Sequence, residues 1–189
     1  MPKSILAPLT GFSTDRAILE TAAAAARVEG GHIACVYRRI DDLESAATMK
    51  LGFPKLHETM SVTIERINKE QSARLAHART AFDDFVRRHG IAVQNPPDKD
   101  VPVSASWEEL DSELSGEARY HDMVVMAKDD ELSSQQIKSV LVQAGRPLIL
   151  APAKPAGVIG RNVAIAWKPG AEAARAVTAA SSLLARAEK

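Results

Sequence analysis

The chain predicts an α/β fold built on an open parallel sheet of five strands with helices on both faces and one extra strand and helix at the end. Two observations carry this. Short apolar runs alternate with longer amphipathic stretches along the 189 residues, the pattern of parallel strands joined by right-handed crossovers. The opening pattern also returns near the end: SILAPLTGFSTDRAILETAAAAARVEGGHIACVY from Ser4 and NVAIAWKPGAEAARAVTAASSLLARAEK from Asn162 both read strand, glycine-containing turn, Ala-rich helix.

Residues 4–9 form a strand buried on both faces. Thr10-Gly11-Phe12-Ser13 makes the turn, and Ser13 or Thr14 starts a helix to about Glu29, ended by Gly30-Gly31. Residues 32–37 (HIACVY) are the second strand. A polar stretch leads into a long helix over about 55–88, with Met60, Ile64, Ile67, Leu75, Ala78, Phe82 and Phe85 on one stripe. Residues 96–100 are a surface loop, and 101–106 a third strand that Trp107 follows. A short helix is expected over 108–119, a fourth strand over 122–127, a helix over 133–144 and a fifth strand over 147–151. Residues 153–161 read as a linker between a domain of residues 1–152 and a partial second repeat, 162–189. That repeat holds a sixth strand over 163–167 and a helix from about Ala171, with Ala173, Val177, Ala180 and Leu184 on its apolar side.

Bulk chemistry excludes several functions. Twenty-four basic and 24 acidic residues cancel, which removes the electrostatic footprint of a nucleic-acid or membrane-surface binder. A single cysteine, Cys35, permits no internal disulfide and suits a reducing compartment. With no long apolar run, a cytoplasmic setting is expected. None of the five histidines (His32, His57, His77, His89, His121) lies three or four residues from another, so no metal site is read; His77 and His89 are expected to be solvated. Cys35 reads as a small buried hydrophobe rather than a nucleophile. Trp167 is expected to pack against its own helix. No catalytic motif is present.

Several strings resemble the universal stress protein family. ILAPLTG resembles its first strand and turn, ARYHDMVVMA from Ala118 the approach to its fourth strand, and SVLVQAGRPLILAP from Ser139 its last helix and fifth strand. IAWKPGAEAARAV from Ile165 resembles the start of a second copy, as in tandem members. The resemblance implies an adenine nucleotide alpha hydrolase-like fold, its five parallel strands in the order 3-2-1-4-5, with ligands at the carboxyl ends of strands near the switch point. It also implies dimerisation through the fifth strand's edge, so a homodimer is expected, with residues after Ala153 contributing.

Nucleotide-binding members of that family carry an Asp after the first strand and a glycine-rich phosphate loop after the fourth. Here Thr10 stands in the Asp position, and Lys168 in the second copy. After Met126 the chain reads AKDDELSSQQIKSV, with no glycine before Gly145 and three carboxylates (Asp129, Asp130, Glu131) where a triphosphate would lie. The candidate cleft is Leu9, Thr10, Gly11, Val36, Met126, Ala127, Lys128, Ser133 and Ser134. ATP in the family's usual mode is not expected there. A non-enzymatic protein acting by dimerisation or partner binding is the leading reading. A nucleotide-binding switch or slow ATPase with a non-standard cleft, or a binder of some other small molecule, stands as the alternative.

Overall fold

A computed structural model describes residues 3–38, 56–127, 131–155 and 157–189. The six strands are β1 (Lys3–Leu9), β2 (Gly31–Arg38), β3 (Ala92–Val93), β4 (Val103–Leu110), β5 (Met123–Ala127) and β6 (Leu148–Ala151). All pairings are parallel, in the order β3-β4-β2-β1-β5-β6. The expected order 3-2-1-4-5 is therefore present, with a two-residue strand added outside β4.

Alternation along each strand divides the core between the two faces of the sheet. Ile5, Ala7, Leu9, Ile33, Cys35, Tyr37, Ala105 and Val125 belong to the cluster under α1 (Asp15–Glu29) and α2 (Leu56–His89). Leu6, Val36, Leu110, Val124 and Met126 belong to the other. That second cluster packs with α3 (Leu114–Glu117), its continuation in a tight turn (Ala118–Tyr120), and the region of α4 (Glu131–Ser139) and its wider last turn (Val140–Ala144).

α1 forms because alanine carries the best helix propensity. Its buried face, Ala17, Ile18 and Ala22 through Ala26, is small enough for close approach to the sheet. Gly30, with φ 68°, ends it. From α2, Ala78, Phe82 and Phe85 are buried as the stripe requires, and Leu75 packs beside them. The Phe82 ring lies 5.6 Å from that of Trp107, and each buried phenyl contributes about 1.5–3 kcal/mol of transfer free energy. The side chains of Met60, Ile64 and Ile67 lie outside the described part of this helix.

Three expectations are corrected. The strand expected to end at Ser106 runs on to Leu110, so Trp107 lies within β4 and the helix expected over 108–119 shrinks to α3 and its tight turn. Backbone pairing explains this: Trp107, Glu108, Glu109 and Leu110 are in register with Cys35, Val36, Tyr37 and Arg38 of β2. The sixth strand expected over 163–167 is not a strand. Its hydrogen bonding instead goes to the chain's own tail, Val163 N–H to the Lys189 carbonyl at 2.8 Å and Glu188 N–H to the Arg161 carbonyl at 2.8 Å. Consequently Ile165 and Trp167 are 55% and 57% exposed, and Trp167 is not buried against the helix that follows. That helix is present as α5 (Ala171–Ala179) and α6 (Ser181–Leu184), neither burying a residue fully.

Candidate functional site

The carboxyl ends of β1, β2 and β5 meet where the strand order reverses, the usual ligand position in open α/β sheets. The expected cleft residues do not share one lining. Leu9 and Ala127 are packed into the α1–α2 cluster, whereas Val36 and Met126 are packed into the other one, on the opposite face. All four are buried by their neighbours. Lys128, with Asp129 and Asp130, lies outside the described residues. Glu131 opens α4; Ser133 and Ser134 follow in its first turn, and Ser134 is half-buried.

Thr10 and Gly11 carry the informative geometry. Asp15, at the first position of α1 and 1% exposed, turns its carboxylate back into the β1–α1 turn. Oδ1 accepts the Thr10 N–H at 2.8 Å and the Thr10 hydroxyl at 2.9 Å, and Oδ2 accepts the Gly11 N–H at 2.8 Å. The Phe12 N–H donates to Thr10 Oγ1 at 3.3 Å. Successive backbone N–H groups converging beside a helix N-terminus form an anion-binding concavity. Here an internal carboxylate occupies it.

The same turn is covered by α2. Gly11, with φ 79°, sits so close under the helix that an added Cβ would lie 2.3 Å from the Arg74 carbonyl oxygen. The Arg74 guanidinium stands 4.6 Å from the centre of the Phe12 ring, a cation–π contact. From β2, the Tyr37 hydroxyl donates to the Gln71 carbonyl at 3.3 Å. One turn of α2 therefore lies across the carboxyl ends of both β1 and β2.

Cys35, in the strand beside this turn, is fully buried. Burial pushes its thiol far above the usual range, and the nearby Asp15 charge pushes the same way. A thiol held protonated is no nucleophile at neutral pH. His89 is a correction to the expected solvated residue: its side chain is only 19% exposed, with Nε2 2.9 Å from Glu20, and Arg27 bonds to its Nδ1 at 2.8 Å. Among the described residues no cluster of three or more His, Cys, Asp or Glu is placed to hold a metal ion. No helix among them is long and apolar enough to cross a membrane.

Sequence reasoning missed Asp15. The signal was there, an acidic residue four places after a Thr-Gly turn and in the first turn of a helix, but it reads equally as a simple dipole partner.

No protein-family model and no curated protein matches this chain. Among solved structures it is similar to the universal stress protein UspA from Lactobacillus plantarum, at 15% identity over 79% of this chain and 97% of that one, TM-score 0.49. It is similar to a universal stress protein family structure from Burkholderia pseudomallei, at 18% identity over 79% and 96%, TM-score 0.39. A third similar structure is a universal stress protein in complex with cAMP, at 8% identity over 80% and 98%, TM-score 0.38.

Proposed function

We propose that this chain is a non-enzymatic protein of the universal stress protein type, with a nucleotide cleft that has degenerated, acting in the cytoplasm through dimerisation or contact with a protein partner. The observation that carries the reading is the Asp15 carboxylate seated on the N–H groups of Thr10 and Gly11. A phosphate brought to that turn would meet a fixed negative charge where it needs donors, and like charges in a half-buried site repel by several kcal/mol. The α2 turn across β1 and β2 leaves little room for a base at the same place. The parallel sheet with its switch point and the strings ILAPLTG and SVLVQAGRPLILAP support the family part of the reading.

Isothermal titration of the full chain with ATP and Mg²⁺ tests the cleft. The expected result is no saturable heat; micromolar affinity would establish the competing reading, a nucleotide switch or slow ATPase. The dimer part of the proposal is supported by β6, an edge strand with Leu150 52% exposed, and by the exposed Ile165 and Trp167 in the partial second repeat. Light scattering at micromolar concentration should give the mass of two chains. A mass of one chain would remove dimerisation from the proposal.

A further inference from the structure

On the face of the sheet opposite α1 and α2, a buried polar row crosses the strands near their amino ends. His32 of β2 is in register with Ser4 of β1 and Ser104 of β4. Its Nδ1 hydrogen-bonds with Ser104 Oγ and its Nε2 with Ser106 Oγ, both at 2.9 Å. Across β1, Ser4 Oγ hydrogen-bonds with His121 Nδ1 at 2.7 Å, and His121 Nε2 lies 3.1 Å from Glu117 Oε1. His32, Ser104, Ser106 and His121 are all buried.

We propose that this row is an acid-sensitive latch, which holds residues 114–121 against the sheet and lets them go when His32 takes up a proton. The two histidines differ in what can face a positive charge. Glu117 of α3 stands against His121, and Asp122 is committed to the Ser4 N–H at 2.8 Å. From β4, His32 is met by two hydroxyls and no carboxylate. Arg119, on the same segment as His121, is turned to the Gln143 carbonyl. A proton on His32 therefore places a charge that no carboxylate among the described residues pairs in a buried site beside a second imidazole. Both burial and His121 hold the His32 imidazolium back, lowering its titration below the ordinary histidine value.

The segment that would yield is the one His121 belongs to. Residues 114–120 are a four-residue helix and a three-residue tight turn, too short to persist on their own hydrogen bonds. They are held by Leu114 and Ala118 in the core, by Ser115 Oγ donating to Gln143 Oε1, and by the His121–Ser4 link. Moving His121 away from β1 removes the second imidazole and admits water to His32. The sign follows. A folded value below the unfolded one, about 6.5, means the closed state is fully favoured above that pH and is lost as pH falls through the folded value.

The test uses the unmodified full chain between pH 8 and 5, with imidazole NMR to follow His32 and amide hydrogen exchange to follow residues 114–121. His32 should titrate below 6.5, and between 6.5 and its midpoint the protection factors of 114–121 should fall about tenfold per pH unit, the effect of one proton, levelling off below the midpoint, while β5 stays protected. His32→Gln, which keeps a donor and an acceptor for Ser104 and Ser106 but cannot titrate, should flatten that fall. An ordinary His32 titration, an equal loss in β5, or an undiminished fall in a folded His32→Gln would overturn the latch. Should that variant not fold, the first two results decide. The outcome is independent of whether the carboxyl end of the sheet binds a nucleotide.

Discussion

Replacing Asp15 by alanine removes the acceptor for three donors at once, and the cost can be worked from the turn it holds. The Thr10 N–H, the Thr10 hydroxyl and the Gly11 N–H bond the carboxylate at 2.8, 2.9 and 2.8 Å. Hydrogen bonds to a charged group contribute about 1.5–3 kcal/mol each, and a donor stranded without a partner costs about 1–3 kcal/mol. Thr10 and Gly11 are only half-buried, so water reaches part of the deficit. Asp15→Ala should therefore cost about 3–5 kcal/mol rather than the full sum. Asp15→Asn can keep an oxygen for Thr10 but sets an NH₂ group against the Gly11 N–H, and should cost about 1–2 kcal/mol. Thr10→Val loses the half-buried hydroxyl bond to Asp15 and the acceptor for the Phe12 N–H, and should cost about 1–2 kcal/mol. Urea denaturation followed by tryptophan fluorescence reads the series. With a slope near 2 kcal/mol per molar, Asp15→Ala should lower the midpoint by about 1.5–2.5 M. A shift below about 0.5 M, or an Asn variant as damaged as the Ala variant, would show that the carboxylate does not hold the turn.

Gly11→Ala should cost at least about 2 kcal/mol, because it meets both a positive φ and the Arg74 carbonyl at 2.3 Å. Gly116→Ala, with open space around it in α3, should be neutral or mildly stabilising, and equal effects at the two sites would refute the contact. Cys35 should resist a thiol reagent in the native protein at pH 8 and react with one equivalent after denaturation. Rapid stoichiometric labelling of the folded chain would contradict its burial. Phe82→Ala should lower stability by about 3–5 kcal/mol in the same urea assay, since it empties a fully buried site against Trp107; a loss under about 1 kcal/mol would place Phe82 outside the core.

What could be read along the chain was what local pattern determines. β1, α1 and β2 are legible because an apolar run, a glycine turn and an Ala-rich stretch each admit one reading. Errors arose where a distant partner decides. Glu108 and Glu109 look like the start of a helix, yet β2 offers eight successive residues in register and the strand continues to Leu110. NVAIAW has the alternation of a strand, but a strand exists only beside another, and here residues 161–163 bond the chain's own tail instead. The histidine row was invisible for the same reason. His32 and Ser104 are 72 residues apart and Ser4 and His121 are 117 apart, so only the Glu117–His121 spacing of four was open to inspection.

The position of the carboxylate changes what the departure at Thr10 means. Thr10 alone, standing where nucleotide-binding proteins of the resembled type carry an acid, would suggest a single lost contact, restorable by one substitution. Asp15 alters that argument, because the turn has not lost its acid: the acid now comes from the helix side and is spent on the turn's own N–H groups. Thr10→Asp would then place a second carboxylate beside a buried first one, against Coulomb repulsion, and beneath an α2 turn already in contact with Gly11. On the proposed function, two features would have to change together for a phosphate or a base to enter: the Asp15 charge and the approach of residues 71–74. On that reading the site is closed by its architecture rather than by one missing side chain. A single-residue restoration of nucleotide binding would therefore count against the proposed function as strongly as binding by the unmodified chain.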